Sequence, residues 1–68
     1  MDYAKLEEAR KFFAEEKDSM LLLSLYGDYC KDVERYSYFE RNDNLRESAH
    51  LNMVAIRLVL RDRLRKEE

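Results

Sequence analysis

Proline and tryptophan are absent from these 68 residues, and glycine and cysteine occur once each. That scarcity excludes the Pro/Gly-rich profile of a disordered chain and the cysteine-dense profile of a small secreted scaffold. Cys30 alone cannot form an intramolecular disulfide, and it supplies neither a zinc cage nor a redox pair. The longest apolar run, Met20 to Tyr26, is seven residues even with Ser24 inside it. About twenty are needed to cross a bilayer, so no membrane span is expected. No basic segment followed by an apolar stretch opens the sequence, so a secretory leader is not expected and the cytoplasm is the expected location. Neither an internal repeat nor a glycine-rich phosphate loop is present.

What remains is 46% hydrophobic and 41% charged, with thirteen Lys and Arg against fifteen Asp and Glu for a net charge of −2. A chain of this length encloses one small core and no second, so residues 1–68 form a single domain and a multi-domain enzyme is excluded. The near balance of charge also argues against binding nucleic acid through bulk charge alone.

The apolar residues recur with helical period in three segments, predicting an all-α, three-helix hairpin or bundle with helices near 3–17, 20–41 and 45–66. Asp2 is a competent cap for the first, whose stripe is Tyr3, Leu6, Ala9 and Phe13, widened by Phe12. The phase breaks at Lys17-Asp18-Ser19, where Asp18 or Ser19 starts a second helix with Leu22, Leu25, Tyr26, Tyr29, Val33 and Tyr36 on one face. Gly27 lies inside that pattern, where it weakens a helix by about 1 kcal/mol relative to Ala and points to a tolerated glycine, a close backbone approach or a local break. Arg41-Asn42-Asp43-Asn44 is a strong turn signal, and Asn44 to Glu47 has the spacing of a capping box for the third helix. Leu45, Ala49, Met53, Ile56, Leu60 and Leu64 form its main stripe. Leu51, Val54 and Leu58 form another roughly opposite, which Ala55 and Val59 bridge.

Helix three is thus apolar on nearly every side, as in a central helix or a subunit interface. Domains this small seldom obtain more than about 3–5 kcal/mol from one core, and no disulfide assists here. Completion of the bundle as a homodimer through Leu51, Val54 and Leu58 is the expectation.

Candidate chemistry is sparse. Glu47 and His50 have the Glu-x-x-His spacing that puts both side chains on one ion in di-iron bundles, and Glu34 and Glu40 are the carboxylates that the turn would bring nearest. A cap for Glu47 and a half-exposed place beside arginines for His50 outweigh that reading. Cys30 and His50 would need to meet in space to act as nucleophile and base, and a free cysteine is more commonly a small buried hydrophobe. No elbow, oxyanion loop or complete ligand set accompanies them. A non-enzymatic chain without cofactor or metal is therefore expected.

Two surfaces suit recognition. Tyr26, Tyr29 and Tyr36 share the inner face of helix two, where a hydroxyl needs a partner and a half-wet boundary fits better than deep core; Tyr38 and Phe39 extend the aromatic surface toward the turn. Arg46, His50, Arg57, Arg61 and Arg65 line one side of helix three. Residues 45–68 carry six Lys and Arg against four Asp and Glu, a net of +2, whereas residues 1–44 carry −4. The leading expectation is a protein-interaction module of adaptor, co-chaperone or inhibitor type, acting through apolar and tyrosine surface. The alternative is a small regulator that meets nucleic acid through the arginine strip.

Overall fold

The computed structural model describes residues 2–67. Helix α1 spans Tyr3–Ala14, α2 Ser19–Glu34 and α3 Asp43–Glu67, with a π-helical turn over Arg35–Phe39 and no strand among the described residues. This is the all-α, three-helix architecture that the periodicity predicts.

Two of the helix starts follow the sequence signals closely. The Asp2 carboxylate accepts hydrogen bonds from the Ala4 and Lys5 amides at 3.0 and 3.3 Å. Asp18 accepts from Met20 and Leu21 at 3.0 and 3.2 Å, which starts α2 at Ser19, one residue before the expected Met20. α1 ends at Ala14 rather than near residue 17. The Glu15 and Glu16 amides turn to the Phe12 and Phe13 carbonyls at 3.3 and 3.1 Å, the tight spacing of a closing turn, and Glu16 Oε1 accepts from the Asp18 amide at 3.0 Å.

The cap expected at Asn44 is displaced to Asn42, whose side-chain oxygen accepts from the Leu45 amide at 3.1 Å and whose carbonyl accepts from Arg46 at 2.9 Å. This earlier start brings Asp43 into the first turn, where its charge faces the positive end of the helix dipole. Glu47 then lies two residues beyond the position a capping box requires.

One α-helix over 20–41 is also corrected. After Glu34 the ladder widens: the Glu40 amide donates to the Arg35 carbonyl at 2.9 Å, five residues back. Ser37 Oγ donates to the Val33 carbonyl at 2.6 Å, engaging an acceptor of the regular ladder from the side. The helix closes with the Asn42 amide on the Tyr36 carbonyl at 3.0 Å and Arg41 at φ 38°. This is the left-handed conformation that usually carries glycine after a helix. Arg41→Gly is accordingly expected to raise stability by about 0.5–1 kcal/mol, read as an increase of a few degrees in Tm, while Arg41→Val lowers it. A fall in Tm for the glycine variant would contradict this account of the turn.

α3 is the spine. At about 1.5 Å per residue its 25 residues account for most of the 40 Å long axis, and it packs against both α1 and α2, which meet each other far less. Arg10 of α1 pairs with Asp62, Ser19 at the start of α2 meets Arg63, and Cys30 further along α2 meets Met53. α1 therefore runs parallel to α3, and α2 runs antiparallel to both.

Leu6, Phe13, Leu22, Ala55, Ile56 and Val59 form the core cluster, with Leu22 and Ile56 fully enclosed. The buried arc of α3 is centred on Ala55, Ile56 and Val59, because two helices grip it from different directions. Two members of the expected main stripe, Leu45 and Leu64, stay 46% and 64% exposed near its ends. The second stripe is corrected in the opposite sense. Leu51, Val54 and Leu58 do not lie away from the other helices; they are half-buried against the core of their own chain.

Candidate functional site

The five aromatic residues singled out for recognition divide into two groups. Tyr26, Tyr29 and Tyr36 are half-buried. The first two pack on the core cluster, with the Tyr29 ring edge-on to Phe13 at 6.3 Å, and the Arg35 guanidinium lies 5.6 Å from the centroid of Tyr36. This is the half-wet boundary that their hydroxyls require. Tyr38 and Phe39, by contrast, are 76% and 79% exposed.

Both residues lie on the π-helical turn, where Tyr36 is half-buried and residues 38 and 39 are exposed. At about 100° per residue Tyr38 faces away from the side that Tyr36 presents to the bundle. An ion pair from Arg35 Nη2 to Glu40 Oε1, 2.6 Å long, ties the start of the turn to the residue just past its end. The carboxylate beside Arg35 raises the guanidinium's pKa above its ordinary value, through the hydrogen bond first and the charge second. The outcome is a pair of adjacent aromatic side chains held outward at one tip of the bundle. No sequence signal for a π-turn announced it; the adjacent pair of aromatics before a strong turn was the visible part.

The arginines of α3 differ among themselves. Arg46 lies 3.5 Å from Asp43, whereas His50, Arg57, Arg61 and Arg65 are exposed, and Arg57 and Arg61 have no ion-pair partner among the described residues. Two arginines outside or ignored by that strip hold the fold. Arg10 Nη2 donates to Asp62 Oδ2 at 2.5 Å; this hydrogen bond, ahead of the opposing desolvation, draws the Asp62 pKa below its ordinary value. Arg63 donates to Ser19 Oγ at 2.9 Å, to the Ala14 carbonyl at 3.4 Å and to the Glu16 carbonyl, so one guanidinium clasps the whole α1–α2 connection.

The candidate catalytic and metal residues are not assembled. Cys30 Sγ points to Met53 Sδ at 3.2 Å, while His50 is exposed to solvent. Glu47 and His50 both line an open cleft of 630 Å³ at the end of the bundle, beside Asp2, Lys5 and Arg46, a feature that sequence reasoning missed. Its lining joins the start of α1 to the start of α3, a proximity set by their parallel packing. Among the described residues, no three His, Cys, Asp or Glu side chains gather to hold a metal, so neither Glu34 nor Glu40 completes a ligand set with Glu47 and His50. No described helix is long and apolar enough to cross a membrane.

The fold and surfaces define a small three-helix bundle with an aromatic tip and a basic ridge. No protein-family model, curated protein or solved structure matches this chain.

Proposed function

We propose that this chain is a non-enzymatic protein-interaction module of adaptor, co-chaperone or inhibitor type, and that Tyr38 and Phe39 anchor its partner. The observation that carries the reading is their exposure on a turn stapled by Arg35 and Glu40. Large aromatic side chains in water gain nothing for the monomer, yet they bring rigid contact area to an interface at little entropic loss. Among the described residues nine large hydrophobic side chains are exposed, which adds apolar surface for a partner or a second copy in a homodimer. A lone thiol without a disulfide partner accords with a cytoplasmic setting.

Affinity capture from the native cell, compared between wild type and Tyr38→Ser/Phe39→Ser, tests the reading. Both positions are exposed, so melting temperature and helicity should stay near wild type while recovery of the partner falls at least about tenfold, as for loss of interface anchors. Equal recovery with the double variant would remove the aromatic tip from the interface. A second reading, contact with nucleic acid through Arg46, His50, Arg57, Arg61 and Arg65, draws support from Arg57 and Arg61, which are exposed and have no ion-pair partner among the described residues. It requires retention on nucleic acid that weakens steeply with salt.

A further inference from the structure

The outward side of α2 is unlike that of a solvated helix. In a chain that is 41% charged, its residues from Ser19 to Gly27 include no charged side chain. Leu22, Leu25, Tyr26 and Tyr29 turn to the core, and at about 100° per residue Met20, Leu23, Ser24 and Gly27 fall outside that face. Met20 is 71% and Leu23 52% exposed. A helix side left to water ordinarily carries charge. Leu64 of α3, 64% exposed and next to the Arg63 that bonds Ser19, adds apolar area at the same end.

Gly27 is the second departure from local rules. It weakens α2, yet a Cβ at that position would meet nothing within 4 Å, so the monomer itself has no use for the missing side chain. On the outside of a helix a glycine is a notch, where another helix comes closer than a side chain would allow. Met20 stands seven residues before it, two turns and about 10 Å along the same side. A long unbranched side chain and a notch so spaced complement one another when two copies of α2 run antiparallel. With the two-fold axis between Leu23 and Ser24, each Met20 falls at the level of the other copy's Gly27, and the two Leu23 side chains meet near the centre.

Area argues for the same occupant. The chain exposes 5414 Å² of accessible surface, whereas a compact monomer of 8.3 kDa exposes about 4,600 Å². The excess of about 800 Å² equals the share that each partner contributes to a stable interface of standard size. Its source is the shape: α1 and α2 flank α3 and meet each other far less, which gives extents of 40 × 24 × 17 Å.

We propose that the outward side of α2 is an isologous homodimer contact, in which Met20 of each copy fills the Gly27 notch of the other around a Leu23 centre. This goes beyond the anchoring of a partner at Tyr38 and Phe39, which lie past the opposite end of α2, so such a dimer presents two aromatic tips. It also differs in place from a dimer through Leu51, Val54 and Leu58, which the monomer already half covers.

Light scattering at about 100 μM protein reads the outcome, with circular dichroism as the check on folding. Wild type should be a dimer whose affinity changes less than about threefold between about 0.05 and 0.5 M salt, because no charge pair holds the contact. Met20→Lys and Gly27→Glu should each lose at least about a hundredfold in dimer affinity, since each sets two unpaired charges into an apolar contact. Both positions face open solvent in the monomer, so neither change disturbs the packing of a single chain. Mixed one to one, the two variants should form a heterodimer, because the introduced charges are opposite in sign and face each other while the remaining Met20 and Gly27 keep their contact. Where folding depends on association, recovery of helicity on mixing reads the same contact. A monomeric wild type, a dimer that survives both single variants, or a mixture that does not associate overturns the proposal. So does a dimer lost in Leu58→Glu and retained in Gly27→Glu, which moves the interface to α3. Tyr38→Ser/Phe39→Ser should leave the dimer intact whatever it does to partner capture, so the two readings fail separately; loss of the dimer in that variant places the contact at the aromatic tip and overturns the α2 assignment.

Discussion

Ile56→Ala is expected to destabilise the domain by about 2–5 kcal/mol, the range for truncating a fully buried aliphatic side chain. Ile56 is fully enclosed on the one helix that both others grip, so the cavity opens at the point where all three meet and neither α1 nor α2 can close it alone. Domains of this size hold only about 3–5 kcal/mol from their core, so the loss approaches the whole reserve. Circular dichroism should find the variant substantially unfolded at 37 °C. Leu45→Ala on the same helix, at a side chain 46% exposed, should shift the melt far less. Similar melts for the two variants would refute a core centred on Ile56.

Arg63→Met should lose about 1.5–3 kcal/mol while keeping most of the aliphatic length of the side chain, because it removes hydrogen bonds from a charged donor to Ser19 Oγ and to the Ala14 and Glu16 carbonyls. Those carbonyls belong to the end of α1 and to its connection with α2, and a lone ammonium cannot reach several acceptors as a planar fork does. Arg63→Lys should therefore recover only part of the loss. In a domain this small each kcal/mol shifts Tm by about 4–8 °C, so thermal melting resolves both variants. An unchanged Tm for Arg63→Met would show that water satisfies the connection equally well.

Arg63 also marks a limit of sequence reading. In sequence it is one of several arginines near the end of an amphipathic helix, and it was not among the residues expected to line the arginine strip. Its partners lie 44 to 49 residues away, a relation that exists only once α1 and α2 have been folded back onto α3. Asp62 is the same case, since its partner Arg10 is 52 residues distant. The caps at Asp2 and Asp18, by contrast, were legible because a cap and the amides it satisfies lie within three residues of each other.

Gly27 separates the alternatives that its sequence context left open. α2 continues through it with no positive φ, and a Cβ there would meet nothing within 4 Å. Neither a break nor a close approach inside the monomer explains it, so within the chain it is a glycine that an exposed position tolerates.

The helical class, the number of helices and the inner face of α2 were determined by sequence alone, because periodicity and capping are properties of neighbours a few residues apart. On α1 the expected stripe is corrected, since Leu6 and Phe13 are buried but Tyr3 and Phe12 stay 74% and 70% exposed at positions that neither other helix covers. Three things were decided only by tertiary structure. The arc of α3 that is buried depended on the directions from which α1 and α2 approach it, which turned Leu51, Val54 and Leu58 from a free stripe into half-buried contacts. The exposure of Tyr38 and Phe39 depended on where the other helices came to rest, since neither covers these two side chains on the π-helical turn that ends α2. The difference between arginines that hold the fold and arginines left facing solvent depended on where distant carboxylates and carbonyls came to rest, since Coulomb and hydrogen-bond energies follow distance in space, and helical spacing specifies that distance only within a single helix.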